Sequence, residues 1–215
     1  MRAKFVTFEG IEGSGKSTQV RALEAHYSGK GLRVLTTREP GGTVLGNEIR
    51  PLLVRSRTEP LDAAAELFLL EAARAQLVAR ILTQAFETHD LVLCDRYADA
   101  SLAYQGGGRG LDLAFVTQAN HYATHGFVPD LTVLLDMTPE VSLERALKRI
   151  ARSTGAAEDR FEKEEIAFHQ RVRTTYLDLA KKEPARFLVV DAALPPKEIE
   201  GKLTVRIDTL LKESK

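Results

Sequence analysis

Residues 10–17 read GIEGSGKS, and Gly10, Gly15, Lys16 and Ser17 meet the spacing G-x-x-x-x-G-K-[ST] that cradles a nucleotide's phosphates. A β-phosphate carries dense negative charge, and backbone N–H groups can wrap it closely only where side chains stand out of the way. The variable positions are Ile11, Glu12, Gly13 and Ser14, and Thr18 follows the serine at the start of a helical stretch. In this pattern the lysine bridges β- and γ-phosphates, the Ser17 hydroxyl ligates Mg²⁺, and the helix contributes its positive N-terminal end. A second cluster, DLVLCDRY, ends an apolar run in Asp95 and Arg96. A motor ATPase would end such a run in Asp-Glu to place water, and a regulatory GTPase would carry a guanine-reading N-K-x-D; neither is present. An arginine at that point suits a second phosphate, and Asp95 suits the metal.

These groups need a scaffold that delivers them to one place. Short aliphatic runs recur as KFVTFE at the start, LRVLTT at 32–37, DLVLCD at 90–95, LTVLLD at 131–136 and RFLVVD at 186–191. Each is bounded by polar or Gly/Pro residues and reads as a strand buried on both faces of a parallel sheet. Between them lie segments of helical spacing; residues 61–87, with Leu67, Leu70, Leu77, Ile81 and Leu82 on the apolar stripe, read as one long helix. Strand–helix repetition predicts right-handed crossovers and a doubly wound α/β domain, a P-loop NTPase fold of five parallel strands flanked by helices. Ligands of such sheets gather beyond the strands' carboxyl ends, which places Glu9, Arg38, Asp95, Arg96, Asp136 and Asp191 near the chemistry.

Bulk properties agree. No linker or repeat divides the 215 residues, so 1–215 read as one domain. Thirty basic and thirty acidic residues cancel, and no global field draws the chain to nucleic acid or to an anionic membrane. The lone cysteine, Cys94, sits in an apolar run and has no intrachain partner. No apolar run reaches the roughly 18 residues that span a bilayer or resembles a signal-peptide core, so a cytoplasmic protein is expected. The charged stretch RIARSTGAAEDR, about 149–160, is broken by Gly155 and reads as a short mobile lid. His121 and His125, four apart on a predicted helix, lack further ligands nearby and read as surface histidines; Gly106, Gly107 and Gly108 read as a flexible turn closing the acceptor site.

GIEGSGKS, TREPGGT, DRYADASLAYQGGGR and EDRFE, in this order and at these separations, give the chain a resemblance to bacterial thymidylate kinases that spans residues 5 to about 191. The glycine-rich loop alone is shared widely; the REPGGT and DRY…YQG pair is far more specific. The resemblance implies ATP-dependent phosphorylation of dTMP to dTDP with Mg²⁺, no nucleic-acid or membrane partner, and a homodimer. It implies catalytic roles for Lys16, Arg96 and Glu12, with Glu12 beside the acceptor's sugar hydroxyl and phosphate and Arg96 holding the two phosphates together. It implies an acceptor site of Arg38, Arg50, Leu70, Arg74, Arg96, Ser101, Tyr104 and Gln105, where Arg74 reads thymine and the Tyr104 ring crowds the sugar's 2′ position. Leu70 departs from the pattern, since the family usually places a thymine-stacking aromatic ring there. With no cation in the variable positions of the loop, the chain resembles members whose lid supplies the catalytic arginines: Arg149 and Arg152, with Arg160 also on the donor phosphates. Two rival readings are a P-loop kinase for another acceptor such as dUMP or a nucleoside, and a nucleotide-binding regulatory protein without transfer.

Overall fold

A computed structural model describes residues 2–152 and 159–213. Among them the predicted runs form a five-stranded, all-parallel sheet in the order β2-β3-β1-β4-β5: β1 (Lys4–Glu9), β2 (Val34–Arg38), β3 (Leu91–Asp95), β4 (Leu131–Asp136) and β5 (Phe187–Asp191). The chain runs from central β1 outward to β2, returns to β3 beside β1, and then crosses to β4 on the other side of β1. The mouth between β1 and β3 is therefore the point where winding reverses, the crevice in which such sheets bind ligands.

Alternation along the strands supplies two cores. Val6 and Phe8 of β1, with Leu93, Val133 and Leu135, pack under α1 (Lys16–Gly29) and the C-terminal helix, which donates Leu203 and Ile207. Phe5, Val92 and Cys94 face the other way, onto Leu77, Val78 and Leu82. Cys94 is a buried free thiol, as its apolar run implies. The expectation of strands buried on both faces holds for β1, β3 and β4; β2 and β5 are edge strands with partly exposed residues, because only one neighbour covers them.

Two helical expectations need correction. After α2 (Val44–Val54), residues 61–87 do not make one regular helix: α3 (Ala63–Leu77), capped by the Asp62 carboxylate on the amides of Ala64 and Ala65, passes into a π-helical turn (Val78–Leu82) and then α4 (Thr83–Thr88). There the Val78 carbonyl accepts both the Thr83 backbone N–H, the bond of the widened turn, and the Thr83 hydroxyl at 2.9 Å. Gly106, Gly107 and Gly108 are likewise no flexible turn: after α5 (Ala98–Ser101) they end a second π-helical segment, Leu102–Gly108. It packs on α8 (Ile166–Lys182), and a Cβ on Gly107 would stand 1.9 Å from Thr175 Oγ1, so the glycines permit close contact rather than motion. α6 (Leu113–Thr124) covers α3, and α7 (Pro139–Ile150) leads to the lid stretch, whose residues 153–158 lie outside the described part. Among the described residues no helix is long and apolar enough to cross a membrane.

Candidate active site

The loop 10–17 leaves β1 and enters α1 through backbone that disfavours side chains. Gly13 has φ +81°, and a Cβ there would lie 2.1 Å from the Ser142 carbonyl oxygen; Gly15 has φ +95° at the helix N-cap. α7 presses on the loop at this point, and the Ser142 hydroxyl donates to the Glu12 carbonyl. Lys16 curls over the loop, its Nζ donating to the carbonyls of Gly10 and Ile11, both at 2.9 Å, and to Ser14 Oγ at 3.3 Å. Burial, with nearby Arg96, pulls the Lys16 ammonium down to about 8. An arriving phosphate would raise it again and hold the ammonium charged.

Arg96 ends β3 in left-handed backbone, φ +69°, which a non-glycine residue adopts only when its surroundings compel it. Its guanidinium is held on three sides: Nη2 donates to Glu12 Oε1 at 2.8 Å and to the Tyr104 hydroxyl at 2.9 Å, and Nη1 to the Tyr176 hydroxyl at 3.3 Å. Tyr104 passes its own proton to Glu12 Oε1 at 2.7 Å while its ring lies under the Arg96 charge. Burial pushes the Glu12 carboxyl up, but Arg96, Lys16 and the Tyr104 hydroxyl together hold it below its ordinary value. Glu12 is thus an anion fixed between two cations.

Beneath this group lies Glu9, the last residue of β1, fully buried. It accepts the Tyr97 amide at 2.8 Å and the Tyr176 hydroxyl at 2.6 Å. Burial, reinforced by Asp99, raises its carboxyl to about 8. The Tyr97 amide immediately follows Arg96, so Glu9 braces the strained arginine both through the chain and through Tyr176. Nothing in the sequence beyond its position at the end of a strand marks Glu9 for this.

A cavity of about 560 Å³ opens in front of these residues and is lined by most of the predicted set. Gly13, Gly15, Lys16, Ser17 and Thr18 form the phosphate end, with Arg149 of α7 above them. Arg38, Arg50, Leu70, Arg74, Ser101, Tyr104 and Gln105 form the other end, with Glu39 and Pro40 between. The wall also holds Arg21, outside every motif, and Phe161 and Glu162 of EDRFE, for which the motif implied no role. Gly10, Ile11 and Ser14 lie beneath the loop, outside the wall. Arg152 is exposed and Arg160 is turned away: its Nε donates to the Leu53 carbonyl and its Nη2 pairs with fully buried Glu66 at 2.6 Å. Arg149 pairs with Glu162 at 3.2 Å, and burial, together with the Glu12 charge, raises Glu162 to about 7.

Arg74, only 1% exposed, is a hub. It bonds Glu39 through Nε at 2.8 Å, Glu71 and Asn120 through Nη1 at 2.6 and 2.7 Å, Ser101 Oγ at 2.9 Å and the Tyr97 carbonyl at 3.1 Å. These partners lie on α3, α5 and α6 and just past the ends of β2 and β3, so Arg74 fixes the inner wall of the cavity as well as facing it. Gln105 Nε2 donates to Glu66 at 2.6 Å, which leaves the buried Gln105 Oε1 without a partner. Leu70 stands in the wall while Phe68 points outward, 57% exposed against Phe115.

Ser17 Oγ lies 2.5 Å from Asp95 Oδ2, two hard oxygen donors beside Lys16 of the kind Mg²⁺ takes along with phosphate oxygens and water. The donor set fits that ion. Among the described residues no cluster of three or more His, Cys, Asp or Glu side chains could hold another, and His121 and His125 are exposed.

Comparison with known proteins places this geometry. The sequence model of the thymidylate kinase family matches residues 8–203. The thymidylate kinase of Solidesulfovibrio magneticus is 52% identical over 193 residues, 89% of this chain and 92% of that protein. That of Geotalea daltonii is 48% identical over 204 residues, 94% and 95% of the two chains. The crystal structure of thymidylate kinase from Ehrlichia chaffeensis superposes with a TM-score of 0.76 at 30% identity, covering 97% of this chain and 100% of that one. A match of this extent establishes that the chain belongs to the thymidylate kinase family.

Proposed function

We infer that the chain transfers the γ-phosphoryl group of ATP to dTMP, yielding ADP and dTDP. The observation that carries this reading is the Glu12–Arg96–Tyr104 cluster, which holds a braced guanidinium in the cavity wall against the phosphate loop. Family membership supplies the two nucleotides.

The chemistry asks for little beyond placement. A dTMP phosphate oxygen attacks the γ-phosphorus in line; the new P–O bond forms as the bond to the β,γ-bridging oxygen breaks, and ADP leaves with that electron pair. With a second phosphate pKa of about 6 the attacking oxygen is already ionised at neutral pH, so no general base is required. The obstacle is repulsion between two anions. Arg96 offsets it from the acceptor side and Lys16 from the donor side. Ser17 and Asp95 would hold Mg²⁺, which neutralises the β- and γ-oxygens when bound. Arg149 adds positive charge at the phosphate end of the cavity, and Arg152, further along the same stretch, is assigned to the same task.

On the acceptor side, Arg38 and Arg50 reach the monophosphate, Leu70 packs on the base, and Arg74, Ser101 and Gln105 present polar groups to the base edge. Tyr104, fixed by Glu12 and Arg96, leaves the sugar's 2′ position crowded and so favours deoxyribose. A cytoplasmic homodimer belongs to the same reading; exposed Phe68 and Phe115, side by side on α3 and α6, support a covered face there. Coupled ADP release across a panel of monophosphates tests the assignment. dTMP should give the highest kcat/KM. Preference for another acceptor such as dUMP would move the substrate, and silence with every acceptor would leave a nucleotide-binding protein without transfer.

A further inference from the structure

His169 of α8 is fully buried, yet the chemistry above makes no use of it. Its Nε2 lies 3.0 Å from the carbonyl oxygen of Phe161, in the segment that follows the lid stretch. A carbonyl only accepts, so the hydrogen of that bond sits on Nε2. The other nitrogen, Nδ1, faces Glu12 Oε2 at 3.5 Å, and both of these atoms are buried without any other partner. Two bare lone pairs facing each other out of water would be unfavourable twice over, because each atom would forfeit its hydrogen bond. A hydrogen on Nδ1 resolves both at once. The other charges around Glu12 are Arg96, Lys16 and, across the cavity, Glu162. Glu12 Oε1 is already taken by Arg96 and Tyr104, so Oε2 alone is left to set the rotation of the carboxylate.

We propose that His169 is a positioning residue for the reaction: its Nδ1–H holds Glu12 Oε2 while its Nε2–H holds the Phe161 carbonyl, so the acceptor-side carboxylate and the cavity wall at Phe161 and Glu162 are set as one unit. Seven residues along the same helix, the Tyr176 hydroxyl accepts from Arg96 Nη1 and donates to Glu9. Helix α8 thereby grips both members of the Glu12–Arg96 pair from behind. Phe168 adds to this: its ring packs edge-on against both His169 and Tyr104, at centroid distances of 5.3 and 6.0 Å.

The inference rests on the dTMP kinase reading, and the test separates the two. His169→Asn places an amide N–H where Nδ1 stands; His169→Gln places one where Nε2 stands. Both are assayed in the full chain for KM of dTMP, KM of ATP, kcat and Tm. The Asn variant should keep the dTMP KM within about threefold of the parent, and the Gln variant should raise it by about tenfold, with the ATP KM unchanged in both. Equal dTMP KM values in the two variants would overturn the proposal, since a purely structural histidine affects Tm without distinguishing them. A parent that ignores dTMP would instead sink the function. Should either variant fail to fold, ¹⁵N spectra of the parent decide: a hydrogen bonded to His169 Nδ1 is the expected result, and a bare Nδ1 would refute the proposed bond.

Discussion

Arg96 occupies a position where glycine would be the more comfortable residue, and this allows its backbone and side-chain roles to be measured apart. With φ at +69°, any residue bearing a Cβ costs about 1 kcal/mol or more relative to glycine. Its side chain is 17% exposed and that of Glu12 10%, so removing the guanidinium leaves a nearly buried carboxylate with only the Tyr104 hydroxyl on Oε1. A fully buried pair broken on one side loses about 3–5 kcal/mol; with this partial exposure a loss of about 1–3 kcal/mol is appropriate, common to Arg96→Ala and Arg96→Gly. The glycine variant alone recovers the backbone strain. It should therefore melt about 2–4 °C above the alanine variant, the shift that about 1 kcal/mol produces in a chain of this size. Activity should not follow stability. Loss of one preorganised cationic donor costs about 10²–10³ in kcat, or roughly 2.7–4 kcal/mol, and both variants lose it equally. Thermal unfolding and coupled ADP release at saturating ATP and dTMP provide the two measurements. Turnover within tenfold of the parent in either variant, or equal melting temperatures for the two, would refute the reasoning.

Two further outcomes follow from the site. Leu70→Phe places a ring where the family usually carries one; stacking on a base is worth about 1 kcal/mol at the low end, so the dTMP dissociation constant should fall about fivefold by calorimetry, and unchanged or weaker binding would show that Leu70 does not meet the base. Glu9 bears on the pH dependence of stability: buried and raised to about 8 from an unfolded value near 4.5, it keeps its proton in the folded chain where the unfolded chain has lost it. Its stabilising share is complete below about pH 4.5 and is lost as pH rises towards 8. Melting temperature should accordingly decline from pH 5 to pH 9, and Glu9→Gln should flatten the decline only in part, because Glu39 and Glu162, both raised to about 7, act in the same direction. Equal slopes for variant and parent would place the titration elsewhere.

The phosphate loop and the five strands were legible because their causes are local. A loop that must wrap an anion needs glycines at set positions, and a strand shows its burial in an unbroken apolar run. From these alone came five parallel strands and the placing of Asp95 and Arg96 beyond a strand's carboxyl end, with Lys16 and Ser17 in the loop; that β1 and β3 are neighbours and share the crevice came from the sheet order. What escaped depends on partners far apart in the chain. Glu9 and Tyr176 are 167 residues apart, and no spacing rule connects the last residue of a strand to a tyrosine on a distant helix. Glu12 and His169 meet for the same reason, as do Glu66 and Arg160, whose pairing turned a residue assigned to donor phosphates away from the cavity. The glycines at 106–108 misled because small residues permit either motion or close packing, and only the presence of Thr175, Phe168 and Val172 against them decides which. Sequence thus determined most of the charges that line the cavity; the tertiary structure decided what holds each one still, because buried polar atoms must find partners wherever packing brings them.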